Sequence, residues 1–87
     1  MYKLISITDK NDKPSNRKIH MKYLGGIVES ITPLKDGNLV IKFHSKDNVL
    51  NNGLVTSPIV DVYGIPDEEE NVVILETQNS KYYFVAT

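Results

Sequence analysis

His20 and His44 are the only imidazoles in the 87-residue chain, and cysteine is absent. Without thiolates there is no disulfide, no thiol nucleophile and no cysteine-ligated zinc. The histidines lie 24 residues apart in sequence. Neither has a carboxylate at ligand spacing, so each is assigned to a strand or loop surface. His44, Ser45 and Asp47 supply the residue types of base, nucleophile and orienter. Neighbouring strand residues point to opposite faces, however, which keeps His44 away from Ser45. Gly25-Gly26 lacks the spacing of a phosphate loop and reads as a strand kink or a close-packing point. The run Asp67 to Glu70 offers oxygen ligands, but consecutive side chains diverge and no turn glycine interleaves them. It reads as a solvated loop that also guards the apolar VVIL segment against aggregation. The chain is therefore not expected to be an enzyme, and no metal or cofactor is expected.

Positive charge is the other chemical resource. Residues 1–22 hold six of the ten basic residues (Lys3, Lys10, Lys13, Arg17, Lys18, Lys22) against Asp9 and Asp12, a charge of +4, while the rest sums to −5. Such a split marks either a basic binding surface or a well-solvated loop. The overall charge of −1 and the pI of about 6.1 argue against a dedicated nucleic-acid binder.

The elements that would position these residues are short strands. Tyr2 to Thr8 is rich in β-branched and aromatic residues. Asp9 to Lys18 has no apolar residue and reads as a long solvated loop, with Pro14 and several Asn and Asp residues supplying turn chemistry. Ile19 to Tyr23 resumes the strand pattern. The central hairpin, Tyr23 to His44, follows: Asp36-Gly37 is a turn requiring positive φ at Gly37, and Leu39, Ile41 and Phe43 alternate along the return strand. Val28 and Ile31 cannot share a face of a regular strand, so a bulge near Glu29-Ser30 is predicted. Ser45 to Asn52 could carry one helical turn. Leu54 to Tyr63 is strand-like but contains Pro58, placing it on an edge or at a break between two strands. Asn71 to Thr77 reads as a strand buried on both faces and Ser80 to Ala86 as the last strand. Ile41, Phe43, Val72, Ile74, Tyr82 and Phe84 form the predicted core. One domain spanning residues 1–87 results, an all-β barrel of five to six short strands.

The segment GIVESITPLKDGNLVIKF resembles the central hairpin of SH3-like barrels, where a Gly-opened strand, a tight turn and an alternating return strand recur. The resemblance implies an SH3-like fold, with an OB-like barrel as the alternative, and places the 9–18 loop where such barrels carry their first long loop. It implies no proline-rich peptide recognition, because no tryptophan is present. LVTSPIVDV and VVILETQNSKYYF are similar to segments of small proteins of bacterial phages and other mobile elements. The shared residues are Thr56, Ser57, Ile59, Thr77, Asn79, Ser80 and Tyr82. That resemblance implies an accessory or inhibitory protein that acts by binding.

Two functional expectations follow. The first is a non-catalytic protein-binding module, contacting its partner through the basic loop (Lys13, Arg17, Lys18) or the Pro58 edge (Ser57, Ile59), with the loop preferred and self-association through an edge strand as a further outcome. Tyr83, beside Lys81, is a further candidate contact. The alternative is nucleic-acid or nucleotide binding through Lys10, Lys13, Arg17, Lys18 and Lys22, with Tyr2 or Tyr23 as a stacking face. No segment has the apolar length of a membrane span and the first residues lack a signal-peptide pattern, so the expected location is cytoplasmic.

Overall fold

The computed structural model describes residues 1–44, 53–66 and 71–87. Among these residues, seven strands and one short helix follow the order β1 (Tyr2–Asp9), α1 (Lys18–Tyr23), β2 (Val28–Pro33), β3 (Leu39–Phe43), β4 (Gly53–Val55), β5 (Ile59–Pro66), β6 (Asn71–Thr77) and β7 (Ser80–Ala86). They form two antiparallel sheets, β1-β7-β6-β5 and β2-β3-β4. The described residues are all-β apart from α1, and neither sheet closes on itself. The expected turn at 45–52 and the acidic run 67–70 lie outside the described residues.

Two junctions hold the sheets together. At one, Leu4 donates its amide to the Gly26 carbonyl (3.0 Å) and accepts from the Gly25 amide (2.7 Å). At the other, the chain passes from β4 to β5 through Thr56-Ser57-Pro58, and the Ile59 amide donates to the Gly37 carbonyl (2.9 Å). Pro58 thus marks a break between two strands, one of the two placements its sequence allows. The core lies between the sheets and consists of Leu4, Ile7, Tyr23, Leu39, Ile41, Phe43, Leu54, Leu75, Tyr82 and Phe84, with Val28 packed against it.

Bulges decide which residues share the inward face of each strand. The register slips between Val28 and Ser30, as the spacing of Val28 and Ile31 predicts. The same device recurs between Leu4 and Ser6 and between Ile59 and Asp61. In each case one extra residue brings an apolar pair three positions apart onto one face: Leu4 with Ile7, Val28 with Ile31, Ile59 with Val62.

The central hairpin closes through Lys35-Asp36-Gly37, with the Gly37 amide donating to the Leu34 carbonyl (3.2 Å) and the Leu34 amide to the Asn38 carbonyl (2.7 Å). Gly37 has φ +87°, as the turn requires.

Two expectations are corrected. Ile19 to Tyr23 is helical rather than a strand: α1 buries His20 and Tyr23, which at i and i+3 share one helix face, and leaves Ile19 and Met21 exposed. Lys18, Met21 and Lys22 are good helix formers, and only Ile19 is β-branched. The second correction concerns parity. Tyr82 and Phe84 stand opposite Leu75 and Val73, so the inward face of β6 carries Val73 and Leu75 rather than Val72 and Ile74. Ile74 is nonetheless buried, on the outer face between its register partners Tyr63 and Tyr83. Val72 is only half-buried.

Candidate functional site

The long loop is more ordered than its composition suggests. The Asp9 amide donates to the Lys13 carbonyl (2.8 Å) and the Asp12 amide to the Asp9 carbonyl (3.0 Å). The Asp9 carboxylate accepts from the backbone amides of Asn11 (2.8 Å) and Lys13 (3.1 Å). Asp12 sits at φ 63°, a left-handed conformation Asp tolerates better than most residues. Its carboxylate pairs with Lys81 Nζ at 2.7 Å, pinning the turn to β7. That proximity also raises the Lys81 pKa. Beyond the turn the chain runs back along β1, through the Thr8–Pro14 bridge and a bond from the Ser15 amide to the Ile7 carbonyl (2.9 Å).

This hairpin walls a polar pocket of about 450 Å³, lined by Asp9, Lys13, Pro14, Ser15, Asn16, Arg17, Asn79 and Ser80. Ser15 anchors it. Its hydroxyl lies 2.7 Å from His20 Nδ1 and accepts from the Arg17 amide (3.3 Å). His20 is buried, and its ring meets Tyr82 edge-on at 5.7 Å. This overturns its assignment to a surface. Burial first, and then the Arg17 charge, lowers the His20 pKa below 6.5, so the ring is neutral near pH 7. A hydroxyl beside a neutral imidazole has nucleophile and base elements, but no carboxylate bonds the ring in the described residues. The five-residue separation of Ser15 and His20 carries no motif, which is why the sequence alone did not reveal the pair.

A second concavity, of about 280 Å³ and almost wholly apolar, opens between the sheets. Tyr2, Ile31, Leu39, Ile59, Val62, Val73, Leu75 and Phe84 line it. Leu39, Leu75 and Phe84 are buried core residues, while Tyr2, Ile31, Ile59 and Val62 are exposed at 39–53%. The groove therefore draws on the terminal strand of each sheet, β2 and β5. Beside it, Val60 is 59% exposed. The Val62 amide donates to its neighbour Asp61 Oδ1 (2.8 Å). A strand added along β5 would replace this local bond at Val62 and could reach the rest of the edge directly.

The structure divides the candidate residues among these places. Lys13 and Arg17 line the polar pocket, and Ile59 lines the groove. Lys10 lies exposed in the turn and Lys18 opens α1. Lys22 places its Nζ 5.4 Å from the Tyr23 ring centroid. Tyr23 itself is buried and stacked on Phe43, so it offers no face to a base. Tyr83 is half-buried on the outer face of the larger sheet.

Ser57 is a brace. Its hydroxyl donates to Thr77 Oγ1 (2.8 Å) and accepts from the Asn79 amide (3.2 Å). Thr77 Oγ1 in turn donates to the Ser80 carbonyl (3.0 Å) and accepts from the Ser80 amide (3.2 Å). No set of three potential metal ligands from His, Asp and Glu clusters among the described residues, and no helix there is long and apolar enough to cross a membrane. No family model, curated protein or solved structure matches the chain.

Proposed function

We propose that this protein is a non-catalytic module that binds an extended segment of another protein along β5, seating alternate side chains in the groove between the sheets. The observation that carries this reading is the apolar groove itself, whose rim leaves Ile31, Ile59 and Val62 exposed on the terminal strands of two sheets. A strand added at an open edge gains affinity from backbone bonds and specificity from every second side chain. Charge narrows the partner further. Asp61 lies on β5, and the chain continues directly from β5 into Asp67-Glu68-Glu69-Glu70. The segment that fits therefore alternates apolar residues and carries Lys or Arg at its flanks.

The barrel behind this site is of the SH3-like kind, opened on one side. That reading is supported by the Pro58 crossing and the Leu4–Gly26 junction, which link the sheets on opposite flanks of the central hairpin. An accessory or inhibitory role, as in small proteins of phages and mobile elements, suits a domain that offers a surface without a catalytic set.

Selection from a displayed random-peptide library tests the proposal. Alternating apolar peptides with basic flanks are the expected consensus. Binding should fall about tenfold or more in Val62→Glu, a change at an exposed position that leaves the fold intact. Absence of any enriched consensus, or equal binding by Val62→Glu, overturns it. So does concentration-dependent dimerisation lost in the same variant, which would make a second copy the occupant.

A further inference from the structure

The polar pocket is independent of the groove, and its chemistry points elsewhere. Lys13 and Arg17 both line it, and neither is in an ion pair among the described residues, where the one such pair is Lys81–Asp12. The carboxylate in the wall, Asp9, already accepts two backbone amides. Besides Asp9, whose Oδ1 takes both of those bonds, the lining holds two cations and the polar side chains of Ser15, Asn16 and Asn79. That donor set suits a multiply charged oxyanion: a guanidinium fork and an ammonium for charge, with hydroxyl and amide groups for the remaining lone pairs. At about 450 Å³ the space exceeds what a lone phosphate fills and falls within the range of small-molecule sites. We infer that the pocket formed by Lys13, Ser15, Asn16, Arg17 and Asn79 binds the phosphate group of a small phosphate monoester.

Ser15 gives the site an internal reporter. Its oxygen lies 2.7 Å from His20 Nδ1 and accepts from the Arg17 amide. A bound phosphate competes for the Ser15 proton. When Ser15 donates to the phosphate, its oxygen is left to accept from His20 Nδ1–H, which the neutral Nδ1 tautomer supplies as well as the cation. Besides Ser15, the groups against the ring are Arg17 from the same loop and Tyr82 from β7. Arg17 opposes protonation of His20, and phosphate bound at Arg17 offsets that repulsion. Occupancy of the pocket and the proton position on the His20 ring are therefore linked through Ser15.

The test is an NMR titration of the full chain with inorganic phosphate, a nucleoside monophosphate and, as ionic control, chloride. Saturable shifts are expected in the amides of residues 13–17 and 79–80, with half-saturation on the order of millimolar or below for so exposed a pair of cations. The His20 ring-nitrogen resonances should move toward the Nδ1-protonated ring as phosphate is added. Lys13→Glu with Arg17→Glu should weaken binding about tenfold or more. Ser15→Ala should retain weaker binding while the His20 Nδ1 resonance loses most of its response to phosphate. A monophosphate bound more tightly than inorganic phosphate identifies an ester as the ligand, and equal binding of the two overturns the ester assignment. No saturation, the same shifts with chloride, or unchanged binding in the double variant overturns the site. A single-stranded oligonucleotide that outcompetes the monophosphate, with or without a terminal phosphate, would replace the small ligand with a nucleic-acid backbone.

Discussion

Replacing Gly26 with Ala probes the junction that seats α1 and the central hairpin against the core. A Cβ on Gly26 would lie 2.8 Å from Phe43 Cδ1 and 3.0 Å from the Tyr23 carbonyl oxygen. The carbonyl belongs to a turn closed by the Gly26 amide at 3.0 Å, and the next bond, from the Leu4 amide to the Gly26 carbonyl, ties the two sheets. Phe43 has little room to yield, because it is 4% exposed and stacked on Tyr23 with centroids 4.8 Å apart. Overpacking of this kind costs ~1–3 kcal/mol, partly offset by ~0.4–1 kcal/mol from the stiffer unfolded chain. Each kcal/mol lowers Tm by roughly 4–8 °C in a domain this size, so thermal unfolding by circular dichroism should shift down by about 8 °C at the middle of these ranges. With Phe43 unable to yield, the shift moves toward their upper end of roughly 20 °C. Phe43→Ala alone should cost ~3–5 kcal/mol by leaving a cavity. In the Phe43→Ala background the added methyl has space, so Gly26→Ala should cost on the order of 1 kcal/mol less than it does alone. A Gly26→Ala variant melting within a degree of wild type, or strictly additive with Phe43→Ala, would refute this packing.

Gly37→Val should destabilise by ~1 kcal/mol or more. Its Cβ meets only Pro58 Cβ, at an ordinary 3.7 Å, so the cost is that of a β-branched residue at positive φ. Gly37→Asn, which tolerates that region, should cost less in urea denaturation, and equal losses would contradict the assignment. Stability should also depend on pH through His20. Its folded pKa is lowered, mainly by burial, so the unfolded chain binds the proton more readily. The contribution is complete above about pH 6.5 and is lost as pH falls from there toward the folded value. In His20→Gln that part of the slope should vanish, and an unchanged slope would place the acid sensitivity elsewhere.

Much of the strand order was legible because it rests on period-two patterning and turn residues. Leu39, Ile41 and Phe43 alternate inward as their spacing requires, and Pro58 breaks a segment that otherwise reads as one strand. What the sequence underdetermines is the spacing of three. Val28 and Ile31 are reconciled by a bulge, whereas His20 and Tyr23, equally spaced, are reconciled by a helical turn. Both solutions put i and i+3 on one face, and only the surrounding backbone chooses between them. The β6 parity failed for a related reason. Four consecutive apolar residues hold no alternation, and the cross-strand partners of Tyr82 and Phe84 had to select Leu75 and Val73. The polar pocket was half legible. Lys13 and Arg17 stood out by charge, but Asn79 and Ser80 arrive from a distant turn, and Ser15 meets His20 only because α1 begins where it does.

Ser57 shows why residue type alone separates contact from scaffold poorly in so small a domain. It lies beside Pro58 at the strand break, where an accessible hydroxyl would suit a binding edge. The structure instead commits both roles of that hydroxyl inward, as donor to Thr77 and acceptor from Asn79. The consequence reaches both concavities. Ile59, two residues on, lines the apolar groove, while Asn79 lines the polar pocket. The Gln78 amide adds a bond to the Pro58 carbonyl at 3.0 Å, so the β6–β7 turn and the β4–β5 crossing form one braced unit. Thr56 completes it, accepting the Leu39 amide at 3.1 Å and donating to the Ser57 carbonyl at 2.8 Å. With this network buried or half-buried, the hydroxyls of Thr56, Ser57 and Thr77 are spent on fixing backbone. Among the described residues, the surface on which the proposed ligands would act is the exposed apolar rim on one side and Lys13 and Arg17, in no ion pair there, on the other.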